Sequence, residues 1–362
     1  MNRRTKIAWL VPPPLHGSGG LRVIFNLIQH LCDRGCDCHA FVDGGGEFET
    51  VHELADQVQA FYGANDGALH LGWKLGCENF DLAIATIWNS AREVAKTPAS
   101  VKKAYLVQDY EAWFSPMGDS FVDAENSYRL GLHPICIGRW LPHTLKKKYG
   151  VSAHYFDFGC DHGIYHPLTS LAERERAVCM IHQPDKPRRC SEIGLDALGA
   201  LKREMPDVTV YLYGSPEQAK INFPHVNLGV LHPREINALY NRCRAGLCIS
   251  SSNPSRIPFE MMAAGLPVVD IYRENNLYDF PDEGVLLADP NPVAISLALK
   301  SLLQEPARLQ RMSEFGPRWM QPRPIEKEHE EFFAGVEAVL RGENTAPDLP
   351  ERFYRRGAVK AF

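Results

Sequence analysis

Three clusters of residues have the types and spacing for chemistry. The first is Ile249 to Asp270, I-S-S-S-N-P-S-R-I-P-F-E-M-M-A-A-G-L-P-V-V-D. An apolar run, Gly246 to Ile249, ends there in serines, as a central strand ends at the rim of a site. Pro258 suits a first helical turn, and Gly265 with Pro267 ends the helix. The loop Ser251 to Arg256, with Ser252, Asn253 and Ser255, then precedes a helix N-terminus, whose N–H groups attract anions. Glu260 falls in the first turn of that helix, near the carboxyl edge of the sheet, where open α/β sheets bind ligands. A surface glutamate that favours the helix dipole is the plainer alternative. The second cluster is Gln183-Pro184-Asp185-Lys186-Pro187-Arg188-Arg189. Lys186, Arg188 and Arg189, between a strand and a helix, suit a diphosphate, because guanidinium binds phosphate bidentately; a solvated loop is the alternative. The third is V-Q-D-Y-E-A-W-F-S-P-M-G-D, Val107 to Asp119. Asp109 and Glu111, flanked by aromatics just past a strand, could accept bonds from sugar hydroxyls while aromatic faces stack on pyranose rings.

These clusters need strands and helices to hold them. Lys6 to Val11 reads as a buried strand, Leu21 to Leu31 as an amphipathic helix, and His39 to Val42 as the next strand, ended by Asp43. Gly17-Ser18-Gly19-Gly20-Leu21-Arg22 between them invites a dinucleotide reading, but the third glycine of G-x-G-x-x-G is missing. Gly19-Gly20 is expected to make a tight turn with close backbone approach. Further strands are expected at Leu82 to Thr86, Lys103 to Val107, Pro134 to Gly138, Ala177 to His182 and Val208 to Ser215, the last running into Gly214. Helices are expected at Leu141 to Tyr149, Glu192 to Glu204, Ile236 to Cys243, Pro290 to Leu303 and Glu326 to Leu340. The tail from Gly342 reads as loosely held and basic, with Arg352, Arg355, Arg356 and Lys360.

The first cluster resembles family 4 glycosyltransferases of the GT-B fold. These carry two glutamates separated by seven residues, then a small-residue helix and Gly-x-Pro-Val-Val. Glu260, Ala263, Ala264, Gly265, Pro267, Val268 and Val269 match the second half, while Ser252 stands at the first glutamate position. The N-P-S-R-I-P-F-E variant and the V-Q-D-Y-E stretch are similar to the WsaF-like branch, which includes bacterial rhamnosyltransferases. The resemblance implies an α/β architecture of two Rossmann-like domains facing a cleft, with the last helix crossing back to the first. It implies residues 1–167 as the acceptor-side domain, 168–322 as the nucleotide-sugar domain and 323–362 as crossover helix and tail. It further implies that Gly19-Gly20 approaches the transferred sugar or diphosphate and that Glu260 binds the ribose hydroxyls. The Gly214 turn belongs to the same pocket, Leu231 and His232 contact the base, and Ser252 or Asn253 lies near the transferred sugar. The implied activity is retaining transfer, most simply of L-rhamnose from dTDP-L-rhamnose onto a glycan or lipid-linked glycan. Arg188 and Arg189 would stabilise the leaving diphosphate, while Asp109 and Glu111 position the acceptor. UDP- or GDP-sugar donors, and a non-catalytic nucleotide- or sugar-binding subunit, stand as alternatives.

Composition agrees with this class. The chain has 362 residues, enough for two domains, with 45% hydrophobic and 23% charged residues. A net charge of −5 argues against nucleic acid as a partner. Fourteen scattered histidines and ten cysteines without a C-x-x-C pair suggest neither a metal site nor a disulfide framework. No metal or cofactor is expected beyond the donor substrate. Reduced thiols, and a basic start followed by too short an apolar run for a leader, lead us to expect a cytoplasmic protein. Lys146 to Lys148 leave room for a peripheral contact with the inner membrane face or an assembly complex.

Overall fold

A computed structural model describes residues 3–44, 46–75, 79–216, 221–343 and 348–361. The apolar runs become strands buried on both faces, as parallel sheets covered by helices require. In chain order the first unit has β1 (Lys6–Val11), β2 (Asp37–Val42), β3 (Ala68–Leu71), β4 (Leu82–Ala85), β5 (Lys102–Val107), β6 (His133–Ile137) and β7 (His154–Phe156). Among the described residues these seven form one parallel sheet in the order β3-β2-β1-β4-β5-β6-β7. Its helices are α1 (Gly19–Asp33), α2 (Val51–Tyr62), α3 (Trp88–Ala95), α4 (Asp119–Ser127) and α5 (Trp140–Tyr149). Strand order reverses between β1 and β4, so the loops after these strands flank a crevice at the carboxyl edge.

The second unit repeats the plan with β8 (Ala177–Ile181), β9 (Thr209–Tyr213), β10 (Val226–Asn227), β11 (Ala245–Leu247), β12 (Val268–Ile271) and β13 (Val285–Ala288). Among the described residues the sheet order is β10-β9-β8-β11-β12-β13, all parallel, and the switch point falls between β8 and β11. Its helices are α6 (Ser191–Glu204), α7 (Pro233–Arg242), α8 (Ile257–Ala263), α9 (Asn276–Asp279), α10 (Pro292–Gln304) and α11 (Pro306–Met320). Leu198, Leu201, Leu299 and Leu302 of α6 and α10 are buried with Val178, Val210, Leu247 and Val269 of the strands in one core.

Two expectations about organisation change. The division falls between Phe156 and Asp157, not after residue 167. β7 closes the first sheet at Phe156, whereas Phe158 stacks on Phe259 at 4.6 Å and the Leu168 amide donates to Asn241 Oδ1 at 2.6 Å. Residues 157–170 therefore pack with the second unit. The last helix, α12 (Ile325–Arg341), passes into the first unit from His329, where Phe332 lies 5.8 Å from Trp9 and 5.6 Å from Phe156.

The tail is the second correction. Residues 344–347 lie outside the described residues, but Pro350–Phe362 belongs to the second unit. Tyr354 is buried and its hydroxyl accepts from the Leu287 amide at 3.1 Å. Val359 extends the sheet beside β13: its amide donates to Leu287 O and its carbonyl accepts from Asp289 N, both at 2.9 Å. Arg352 and Arg356 pair with Glu274 at 3.4 Å and Glu283 at 3.9 Å. Burial of one aromatic ring and two backbone bonds holds what composition alone reads as loose. Among the described residues no helix is long and apolar enough to cross a membrane.

Candidate functional site

The second unit gathers its candidate residues at the switch point. After β8 the chain makes a 3-10 turn, Pro187–Arg189, before α6; after β11 it runs through the serines into α8. The two loops are joined directly, because Ser251 Oγ donates to Arg188 O at 2.8 Å. Lys186, Arg188 and Arg189 crowd this junction. Burial lowers the Lys186 pKa; the Asp185 carboxylate opposes this, and the charges of Arg189 and Arg188 add to it. Such mutually repelling cations favour an anion between strand and helix.

One residue of the loop is held from all sides. The Ser250 amide donates to Asp270 Oδ1 and its hydroxyl to Asp270 Oδ2, both at 2.8 Å. Ser250 O accepts from Asn275 Nδ2 at 2.9 Å and Asn276 Nδ2 at 3.2 Å. Asp270 ends β12 fully buried, and burial pushes its carboxyl up to about 7 despite these bonds and the nearby Arg189 charge. The sequence puts Asp270 at the end of the first cluster and Asn275 and Asn276 at the rim of the cleft, but assigns none of them a role. Their signal was an acid at a strand end followed by two consecutive carboxamides, all near a serine run.

Gly214 has φ +103°, and a Cβ there would lie 3.0 Å from Ile181 Cγ1, so only glycine fits the turn after β9. Its amide donates to Gly229 O at 2.7 Å, which draws the loop after β10 toward β9. Leu231 is half-buried; exposed His232 starts α7, its amide donating to Glu235 Oε2 at 2.8 Å. Ser252 and Asn253 are buried, and Ser255 is half-buried with its amide donating to Ser250 Oγ at 3.3 Å. Gly265, at φ +68°, ends α8 as its sequence position suggests. Glu260 lies one turn into α8, near Arg256, Cys160 and the Tyr213–Tyr240 hydroxyl pair, whose oxygens are 2.7 Å apart.

Arg256 departs from expectation. Its Nη1 and Nη2 donate to Glu328 Oε2 and Oε1, both at 2.7 Å, and Nη1 also donates to Gly159 O at 2.8 Å. A guanidinium committed to a buried carboxylate is not a diphosphate ligand.

In the first unit, the loop after β5 and the start of α1 meet. Gln108 Nε2 donates to Gly20 O at 3.3 Å. Gly19 and Gly20 open α1 rather than forming a turn; the positive φ, +69°, belongs to Gly17. Asp109 Oδ1 accepts from the Tyr110 amide at 2.8 Å at the loop's half-buried rim. Glu111 points inward. It is 5% exposed, accepts from the Trp88 amide at 2.6 Å, and burial pushes its carboxyl up to about 8. It fastens the start of α3 instead of facing an acceptor. Trp113 and Phe114 are 38% and 45% exposed, Trp113 stacking on Trp140 at 5.4 Å. Lys148 lies 4.3 Å over the Tyr110 ring and its Nζ donates to the Tyr110 hydroxyl at 3.0 Å, so this lysine braces the motif. Among the described residues no three His, Cys, Asp or Glu side chains group as a metal site would.

Residues 176–300 match the family model for the WsaF C-terminal domain. That segment is similar to the WsaF family, and the chain as a whole has the GT-B fold. It is 33% identical over 238 residues to the O-antigen biosynthesis protein RfbC of Myxococcus xanthus, covering 64% of this chain and 19% of that protein. The chain thus spans about a fifth of the length of that curated relative. Sucrose-phosphate synthase from Thermosynechococcus elongatus superposes with TM-score 0.69 at 13% identity, over 94% of this chain and all of that one. A glycosyltransferase from Rickettsia africae gives 0.66 at 13% identity, with 94% and 100% coverage. At such identity these structures establish the GT-B fold, while chemistry rests on the site. The WsaF match covers β8 through most of α10, the stretch holding the cation loop, the Ser250 cage and Glu260.

Proposed function

We propose that the chain is a retaining glycosyltransferase of surface-polysaccharide assembly that moves L-rhamnose from dTDP-L-rhamnose onto a glycan acceptor. The observation that carries this reading is the junction of the two switch-point loops, Ser251 Oγ to Arg188 O at 2.8 Å, inside the WsaF-matching segment. In support of it, Lys186, Arg188 and Arg189 lie on this junction, and we assign them to the donor diphosphate. In this reading these cations, rather than a metal ion, meet the diphosphate charge. Glu260 takes the ribose hydroxyls, and Leu231, His232 and the Gly214 turn flank the base. Ser252 in place of the motif's first glutamate leaves fewer groups to grip sugar hydroxyls, which suits a deoxysugar.

The first unit supplies the acceptor side. Gly19 and Gly20 have no positive φ, and a Cβ would meet nothing within 4 Å at Gly19 and only Gln108 at 3.6 Å at Gly20. The fold itself therefore does not demand glycine at either position, although glycine weakens a helix; close approach of substrate supplies a reason. Asp109 orients the acceptor, and Trp113 with Phe114 offers ring faces to it. In the transfer step the acceptor oxygen bonds to the anomeric carbon as that carbon's bond to the diphosphate oxygen breaks. The leaving phosphate oxygen takes the acceptor proton on the same face, preserving configuration. The product is a lengthened glycan, and a lipid-linked acceptor would bring the protein to the cytoplasmic membrane face.

Thermal-shift binding of dTDP, UDP and GDP, followed by turnover of dTDP-L-rhamnose with a lipid-linked glycan, tests this. A selective dTDP response and transfer support it. A UDP or GDP response replaces the donor, and nucleotide binding without turnover points to a non-catalytic binding subunit.

A further inference from the structure

Four exposed apolar side chains fall within one short stretch of the first unit: Trp113, Phe114, Met117 and Val122, at 38%, 45%, 78% and 47% exposure. They run from the 3-10 turn Glu111–Phe114 through Pro116 and Gly118 into α4, which packs against that turn. Single exposed apolar residues are ordinary, whereas a contiguous group marks a surface that something covers. The stretch is also firmly held. Tyr110 and Tyr128 are buried beside it with ring centroids 5.8 Å apart, the Glu111 amide donates to the Tyr128 hydroxyl at 3.1 Å, and the Trp113 amide donates to Tyr110 O at 3.0 Å.

The charges beside the patch are mainly positive. α5 begins at Trp140, whose ring stacks on Trp113 at 5.4 Å, and ends in Lys146, Lys147 and Lys148, all exposed. Lys148 Nζ lies 5.9 Å over the Trp113 ring, so the basic end of α5 borders the apolar group. Of the acids on α4, Asp123 pairs with Arg92, and Glu125 accepts from the Tyr110 and Tyr149 hydroxyls at 2.5 and 3.0 Å. That leaves Asp119 against three lysines.

We propose that this face docks on a bilayer of anionic phospholipid, with Met117, Val122 and the edges of Trp113 and Phe114 entering the interface and Lys146 to Lys148 meeting headgroup phosphates. A bilayer is an apolar interior under a sheet of negative charge, which matches apolar side chains bordered by cations. An indole suits that depth, being apolar with one polar N–H, and lysine stems lie along apolar surface while the charge stays in water. The docking stands by itself; that it presents a lipid-linked acceptor to the neighbouring Asp109 rests on the function proposed above.

The test is co-sedimentation of the full chain with vesicles of phosphatidylcholine and with vesicles of phosphatidylcholine mixed with phosphatidylglycerol. Wild type should bind the mixed vesicles, and bind them more weakly in high salt, where surface charge is screened. Met117→Ser should weaken this binding about tenfold, the scale of burying one such side chain. Lys146→Ala with Lys147→Ala should weaken it about twenty-five-fold, roughly fivefold for each lysine near an anionic surface. Lys148 is left in place because it braces Tyr110. Val293→Ser on α10, at a residue as exposed as Val122, should bind as wild type does. A wild type that stays off the mixed vesicles, a Met117→Ser variant that binds as tightly as wild type, or an equal loss in Val293→Ser would overturn the inference. A wild type that ignores vesicles and instead forms a dimer split by Met117→Ser would give the face to a second copy, and overturn it too. Vesicle binding in the expected pattern without sugar transfer would support the docking and overturn only the function proposed above.

Discussion

Asp270 and Ser250 are joined twice, amide to Oδ1 and hydroxyl to Oδ2, each at 2.8 Å and both fully enclosed. This pair ties the end of β12 to the loop after β11, and Arg189 supplies its counter-charge. The shape of the candidate donor loop is therefore decided by a carboxylate on a neighbouring strand.

Asp270→Ala leaves a buried amide and hydroxyl without acceptors. It should cost about 2–4 kcal/mol, since each such group costs about 1–3 kcal/mol. Urea unfolding measures the loss, and an unchanged midpoint would mean that the loop holds itself.

Arg188 and Arg189 should separate. Arg188→Ala should weaken pyrophosphate and nucleoside diphosphate binding without lowering the unfolding midpoint. Arg189→Ala should lower both affinity and midpoint, because it also removes the counter-charge of Asp270. Each affinity loss should be about 1.5–3 kcal/mol, the worth of a bond to a charged group. Identical behaviour of the two variants in thermal-shift titrations would contradict this assignment.

Glu111 sets a pH dependence. Its carboxyl is raised from 4.5 in the unfolded chain to about 8 in the fold, so the folded state holds its proton more tightly. Its contribution is fully present below 4.5 and is lost as pH rises through 8. Glu111→Gln keeps an acceptor for the Trp88 amide and removes the titration. Between pH 5 and 8 its stability should fall less steeply than that of wild type, by up to about 1.4 kcal/mol per pH unit. Parallel urea midpoints across that range would exclude the effect.

Tyr354→Phe removes the acceptor of the Leu287 amide while keeping the ring buried. A loss of about 1–2 kcal/mol is expected, because a strand amide goes unpaired. Amide hydrogen exchange at Leu287 should quicken with it; unchanged protection would show that the tail only lies against the sheet.

Periodicity and composition made much of this molecule legible. β1, β4, β5, β8, β9 and β12 are apolar runs long enough to need burial on both faces, which dictates parallel strands and covering helices. Gly265 and Pro267 bound α8 by local stereochemistry alone. β3 and β7, A-L-H-L and H-Y-F, were not legible because a polar ring breaks or begins each short run; β13, V-L-L-A, is as apolar and as long as β4 and was passed over. The motif glutamate and the cation loop could be named because their chemistry resides in residue type. What each charge faces could not, because partners lie far apart along the chain. Glu111 turned inward to Trp88, Arg256 met Glu328 across 72 positions, and Ser250 met Asp270 across 20. Residue type and local spacing determined which groups are available and where helices and strands begin. The tertiary structure alone decided which carboxylates are buried and paired, because desolvation and long-range pairing depend on neighbours that no local window contains.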